Sequence, residues 1–247
     1  MKHVELVNKE GRTIRGYLHE PSNFNGSIVV FYHGFTGNKT EHDGHFRNLA
    51  RMLEKVEIAS LRMDFSGNGE SDGEFYDFTY DSMIEEAMMM VDYAKKVKGF
   101  KRLIILGFSM GGAVASTVSG MIPDEINRVV LWSPAADMDK RIQERYENNE
   151  KNERGNIMLG VFELSKAMYE SSFKWHPMAN IGKFNGEVLI INGREDKSVS
   201  PLLAAKYAVS YKNSHLCYID NAGHGYDRLD EYTKLYKLSL DFIKEAK

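Results

Sequence analysis

Six short apolar runs, SIVVFYHG, IASLRMD, RLIILGFS, RVVLWSP, EVLIING and HLCYID, follow one another with a helix-sized interval between neighbours. That alternation confines the chain to an α/β architecture built on a mainly parallel sheet. Apolarity in RLIIL and VLII is continuous rather than alternating, which predicts strands covered on both faces by helices. Ahead of them HVELV and TIRGYLH flank NKEG, where Gly11 suits a left-handed turn position, so an antiparallel hairpin is expected to open the sheet. Helices are legible at about 43–55, 80–97, 110–121, 201–211 and 229–245. After Pro134 the rhythm breaks. The densely charged DKRIQERYENNEKNERGN predicts a solvated helix, and IMLGVFELSKAMYESSFKW predicts a second helix with an apolar face.

Residues 107–111 read GFSMG, at the end of one buried strand and the start of a small-residue helix. A sharp strand-to-helix turn lifts a serine hydroxyl above the sheet and leaves no room for Cβ atoms two residues either side; Gly107 and Gly111 meet that demand. Ser109 is therefore a candidate nucleophile, and a hydroxyl needs a base. His224, in NAGHGY just past the strand HLCYID, belongs to the same carboxyl edge of the sheet. His3, His19 and His215 lie in strands and are expected to be structural. The imidazole in turn needs an acid, and Asp196 in REDKSVSP stands before His224 in the chain order Ser, Asp, His. Glu195, one residue earlier, and Asp137, after WSPAA, remain competitors. Charge developing on a substrate carbonyl oxygen calls for two backbone N–H donors. Met110, after the nucleophile, and Phe35, in HGFTG, are the candidates.

Other signals point away from further chemistry. At 247 residues, 43% hydrophobic, with a formal charge of −3, the chain suits one large core and offers no basic surface for nucleic acid. No stretch approaches the roughly 20 apolar residues of a membrane span, and MKHVELVNKEGRT lacks an apolar leader core, so a soluble, cytoplasmic protein is expected. The single cysteine, Cys217, lies in HLCYI and is expected to be a small core side chain. Gly67, Gly69 and Gly73 in DFSGNGESDG do not form G-x-G-x-x-G and read as a turn. His42 and His45 share a helix start without a third ligand, so they read as exposed polar residues and no metal is expected.

Taken together, HGFTG, DFSGNGESDG, GFSMGG, LWSPAA, NGREDKSVSP and NAGHGYD resemble, in this order, the α/β-hydrolase family, and more closely its bacterial feruloyl (hydroxycinnamoyl) esterases. The resemblance implies one domain over residues 1–247: an α/β-hydrolase fold with a mostly parallel eight-stranded sheet, helices on both faces and a small cap insertion at about 137–180. It implies Ser109, Asp196 and His224 as catalytic residues, Phe35 and Met110 as oxyanion donors, and no cofactor. It further implies a cap that shapes an aromatic acyl pocket, with Tyr169 a candidate polar group there. The expected activity is hydrolysis of hydroxycinnamate and small aryl or short-chain esters through an acyl-enzyme. A monoacylglycerol lipase-like esterase is the second enzymatic reading, and a ligand receptor on a hydrolase scaffold is the alternative of another class. A small-molecule ester is the expected partner, and the oligomeric state, a homodimer included, is open.

Overall fold

The computed structural model describes residues 1–245. Strands β1 (Lys2–Val7) and β2 (Thr13–His19) form the expected antiparallel hairpin, with Gly11 at φ 78° in its loop. Then come β3 (Ser27–Tyr32), α1 (His45–Glu54), β4 (Ala59–Met63), α2 (Tyr80–Lys95), β5 (Arg102–Phe108), α3 (Met110–Met121) and β6 (Arg128–Trp132). A long connection carries α4 (Met138–Asn148), β7 (Ile157–Leu159), β8 (Phe162–Leu164) and α5 (Lys166–Ser172). The chain closes with β9 (Glu187–Gly193), α6 (Pro201–Ser210), β10 (Ser214–Ile219) and α7 (Leu229–Lys244). Eight strands form one sheet in the order β1-β2-β4-β3-β5-β6-β9-β10, parallel from β4 through β10.

Side chains alternate across the central strands into two cores. Ile28, Val30, Leu103 and Ile105 face the layer of α2, α3 and α6, whereas Val29, Phe31, Ile104 and Leu106 face α1 and α7. Each such residue is buried, contributing about 1.5–3 kcal/mol when fully removed from water. This two-sided burial is why the strands read as unbroken apolar runs. Parallel pairing brings the carboxyl ends of β3, β5, β9 and β10 to one edge, where the loops bearing the candidate residues emerge.

The connection differs from its expectation. Its charged first part is helical only as far as Asn148 and buries Ile142 and Tyr146 rather than being solvated all round, and IMLGVFEL forms the antiparallel pair β7–β8, with Leu159 opposite Phe162. Gly160, at φ 65° in the two-residue turn, supplies the positive φ that such hairpins require. Only the seven residues of α5 are helical in the apolar second part. Among the described residues no helix is long and apolar enough to cross a membrane.

Candidate active site

Ser109 stands between β5 and α3 with φ 54° and ψ −114°, outside the regions that L-residues adopt freely. Its amide donates to Trp132 O on β6 (2.9 Å), and its carbonyl accepts from Gly112 N and Ala135 N, so neighbouring backbone holds the strained turn. The two glycines explain how the turn packs. A Cβ on Gly107 would lie 2.0 Å from Gly111 O, and one on Gly111 only 1.8 Å from Tyr32 O.

His224, in the loop after β10, places Nε2 3.0 Å from Ser109 Oγ, while Nδ1 lies 2.7 Å from Asp196 Oδ2. An ionised carboxylate only accepts, so Nδ1 carries the proton and Nε2 accepts from the serine hydroxyl. The ring packs on Phe108 at 4.9 Å between centroids. Asp196 Oδ1 accepts from the amides of Ser198 (2.9 Å) and Val199 (2.8 Å), which aims the other oxygen at the imidazole. Burial pushes the Asp196 carboxyl up, but the hydrogen bond and charge of His224, with the Val199 amide and Ser133 hydroxyl, outweigh it and leave it below the ordinary value. The competing acids lie elsewhere: Glu195 is exposed, and Asp137 pairs with Arg141 at 2.7 Å.

The loop after β3 orients the Phe35 amide indirectly. Gly34 C=O and Phe35 N–H belong to one planar peptide, so holding the oxygen aims the hydrogen. Phe65 N–H donates to His33 Nε2 (3.0 Å), which leaves His33 Nδ1–H to donate to Gly34 O (2.9 Å); Gly37 N–H donates to the same oxygen (3.0 Å). Buried Glu41 accepts from Gly34 N–H at 2.7 Å and from His42 N–H at 3.1 Å. Among the described residues the amides of Phe35 and Met110 have no hydrogen-bond acceptor in the protein. His33 and Glu41 escape sequence reasoning because their partners are backbone groups.

Ser109, His224 and Phe35 line two adjoining compartments. One, of about 480 Å³, has a polar rim that includes Asn38, Glu41, His42 and Asp227. The other, of about 200 Å³, is walled by Met110, Met138, Ile142, Leu164 and Val199, with Arg141 and Arg145 among its lining. Tyr169 lines neither: its hydroxyl donates to Glu147 (2.9 Å) and its ring stacks on Tyr146 at 4.3 Å, so it packs within the connection. The expectation for His45 also needs correction. It is buried, with Nε2–H donating to Gly225 O (2.7 Å), because α1 turns that face toward α7. Exposed His42 instead groups with Asp43 and Asp227, their ligand atoms within 4.8 Å, a set chemically able to hold a cation. Cys217 is half-buried on β10, the last strand of the sheet.

Known proteins share both the sequence pattern and this fold. The model of the Hydrolase_4 family, described as serine aminopeptidase, S33, matches residues 25–158, more than half of the chain. Human monoglyceride lipase is 28% identical over 130 residues, 52% of this chain but only 42% of the lipase, so less than half the length of that curated relative is matched. The structure of Est1E from Butyrivibrio proteoclasticus with ferulic acid bound superimposes with a TM-score of 0.86 at 25% identity, covering 98% of both chains. An esterase from Exiguobacterium antarcticum, 18% identical and covering 98% of this chain and 99% of its own, has a TM-score of 0.74. These likenesses establish the α/β-hydrolase fold.

Proposed function

The chain belongs to the Hydrolase_4 family, serine aminopeptidase, S33, and from that premise we propose that it is a serine carboxylic ester hydrolase working through an acyl-enzyme. The observation that carries this reading is the unbroken line from Ser109 Oγ through His224 to Asp196, at 3.0 and 2.7 Å. Ser109 Oγ attacks the ester carbonyl carbon as its proton passes to His224 Nε2, and the displaced electron pair resides on the carbonyl oxygen. The N–H groups of Phe35 and Met110 receive that oxyanion, each worth about 3 kcal/mol or more to the transition state. Collapse breaks the bond to the alcohol oxygen, which leaves with the proton from His224. Water then loses a proton to His224 and attacks the acyl carbon, and a second collapse frees the acid and returns the proton to Ser109. Asp196 stays ionised throughout and stabilises the imidazolium. The chemistry needs no cofactor.

For the acyl half, the reading is a hydroxycinnamate, seated in the 200 Å³ compartment beneath α4 and β8, which act as a small cap. Its support is the structural likeness to Est1E, whose structure contains ferulic acid. A second reading, a monoacylglycerol lipase-like esterase, rests on the likeness to human monoglyceride lipase. Hydrolysis rates for methyl ferulate and for a medium-chain monoglyceride separate the two. Ser109→Ala is expected to lower kcat on whichever ester is turned over by about 10⁴-fold or more. A loss of only a few-fold would exclude a serine nucleophile.

A further inference from the structure

On α4, Met138, Arg141, Ile142 and Arg145 fall at i, i+3, i+4 and i+7, the stripe that a packed helix normally fills with apolar side chains. Here the stripe lines the smaller compartment, and half of it is cationic. Arg141 is neutralised: Nε donates to Asp137 at 2.7 Å and a terminal nitrogen to Ser198 O at 2.6 Å. Arg145 is not. Its guanidinium carbon lies 5.9 Å from the centre of the Phe35 ring, and among the described residues the guanidinium has neither an ion-pair partner nor a hydrogen-bond acceptor. The larger compartment, across Ser109, carries carboxylates instead: Glu41, buried and held by backbone N–H groups, and exposed Asp227, hydrogen-bonded to His42 at 2.7 Å. An ester lying across the serine thus meets a cation on one side and carboxylates on the other.

We propose that Arg145 is a specificity residue that selects acyl groups bearing a second carboxylate, so that the preferred substrates are half-esters of dicarboxylic acids. A guanidinium held against an aromatic face and lacking a counter-ion is poised to pair with a carboxylate oxygen. The acidic rim opposite excludes that carboxylate from the alcohol side, which fixes the direction in which the ester binds. This rests on the esterase reading.

The test compares the methyl esters of 4-carboxycinnamate and its neutral isostere, 4-carbamoylcinnamate, as a ratio of kcat/KM. Arg145 is exposed, so screening limits the gain. The wild type is expected to favour the carboxylate by about 5- to 20-fold at low salt, with the preference shrinking as salt rises to about 0.5 M. Arg145→Gln should bring the ratio near one, Arg145→Glu should invert it, and Arg145→Lys should retain part of it. A wild-type ratio of one or less, or a ratio that Arg145→Glu leaves unchanged, overturns the proposal. Turnover of the carbamoyl ester and labelling of Ser109 by a fluorophosphonate leave the esterase reading standing in that case. Failure of both esters with Ser109 still labelled overturns the proposal alone, and failure of labelling as well overturns the esterase reading.

Discussion

Glu41 is buried beside the candidate oxyanion loop, yet its carboxylate meets backbone N–H groups rather than a cation. Removing it leaves the Gly34 amide without its acceptor and loosens the peptide that aims the Phe35 N–H. Glu41→Ala is therefore expected to reduce kcat by about 10- to 100-fold with a much smaller change in KM, since a misdirected donor is felt mainly in the transition state. Glu41→Gln keeps one acceptor oxygen and should recover most of that loss; a kcat loss that vanishes once rates are divided by the active sites titrated with a fluorophosphonate would assign Glu41 to folding alone. Asp196 bears on pH. Its folded value is depressed, so the stability drawn from the pair with His224 is present above the unfolded value of about 3.9 and disappears as pH falls through the lower folded value. Asp196→Asn, which cannot hold the imidazole tautomer in the same way, should cost about 10³- to 10⁴-fold in kcat while the fold persists. Ser109 was legible from its flanking glycines, because sterics leave a mark in sequence. The choice of Asp196 over Glu195 was not marked to that degree, since adjacent carboxylates differ only in which one the turn after β9 directs inward.

At the level of elements, those with one clear period were readable and the connection was not. Helix α3 spans Met110–Met121 as expected, and α1, α2, α6 and α7 lie within two residues of their expected ends. Their apolar spacing and flanking turns agree with the packing they receive. IMLGVFELSKAMYESS instead carries an apolar pattern that suits helix or hairpin, and Gly160 decides for the hairpin only once Leu159 and Phe162 pair. Glycine also separates two kinds of backbone demand. A methyl at Gly111 would meet the Tyr32 carbonyl at 1.8 Å, where neither β3 nor α3 can withdraw without unpacking the sheet. A methyl at Gly155, where φ is 75°, would meet nothing within 4 Å, so only the backbone conformation resists a side chain there. Gly111→Ala should accordingly destabilise the protein by about 3 kcal/mol or more, and Gly155→Ala by about 1 kcal/mol. Urea midpoints at unchanged slope would check both, and equal losses would show that the contact at the serine turn is softer than its distances imply.

Across the whole molecule, two buried histidines tie distant parts of the chain together in their neutral form. His45 on α1 donates through Nε2 to Gly225 O beside His224 and accepts the Tyr236 hydroxyl of α7 on Nδ1. His19 on β2 accepts from Arg62 on β4. Burial, and for His19 also the Arg62 charge, lowers both below the ordinary histidine value. Between the unfolded value of about 6.5 and those lower folded values the unfolded chain binds more protons, so stability declines as pH falls through that window. This loss begins well above the pH at which Asp196 protonates, so the two windows are separable. Protonating His45 would also place a hydrogen on Nδ1 where the Tyr236 hydroxyl now donates, loosening the join between α1, α7 and the loop that carries His224. Thermal unfolding between about pH 7.5 and 5.5 should therefore show a falling midpoint in the wild type and a shallower fall in His45→Gln, which has no proton to gain. Parallel curves for the two proteins would mean that His45 is charged at no cost and that its junction does not set the acid limit of the fold.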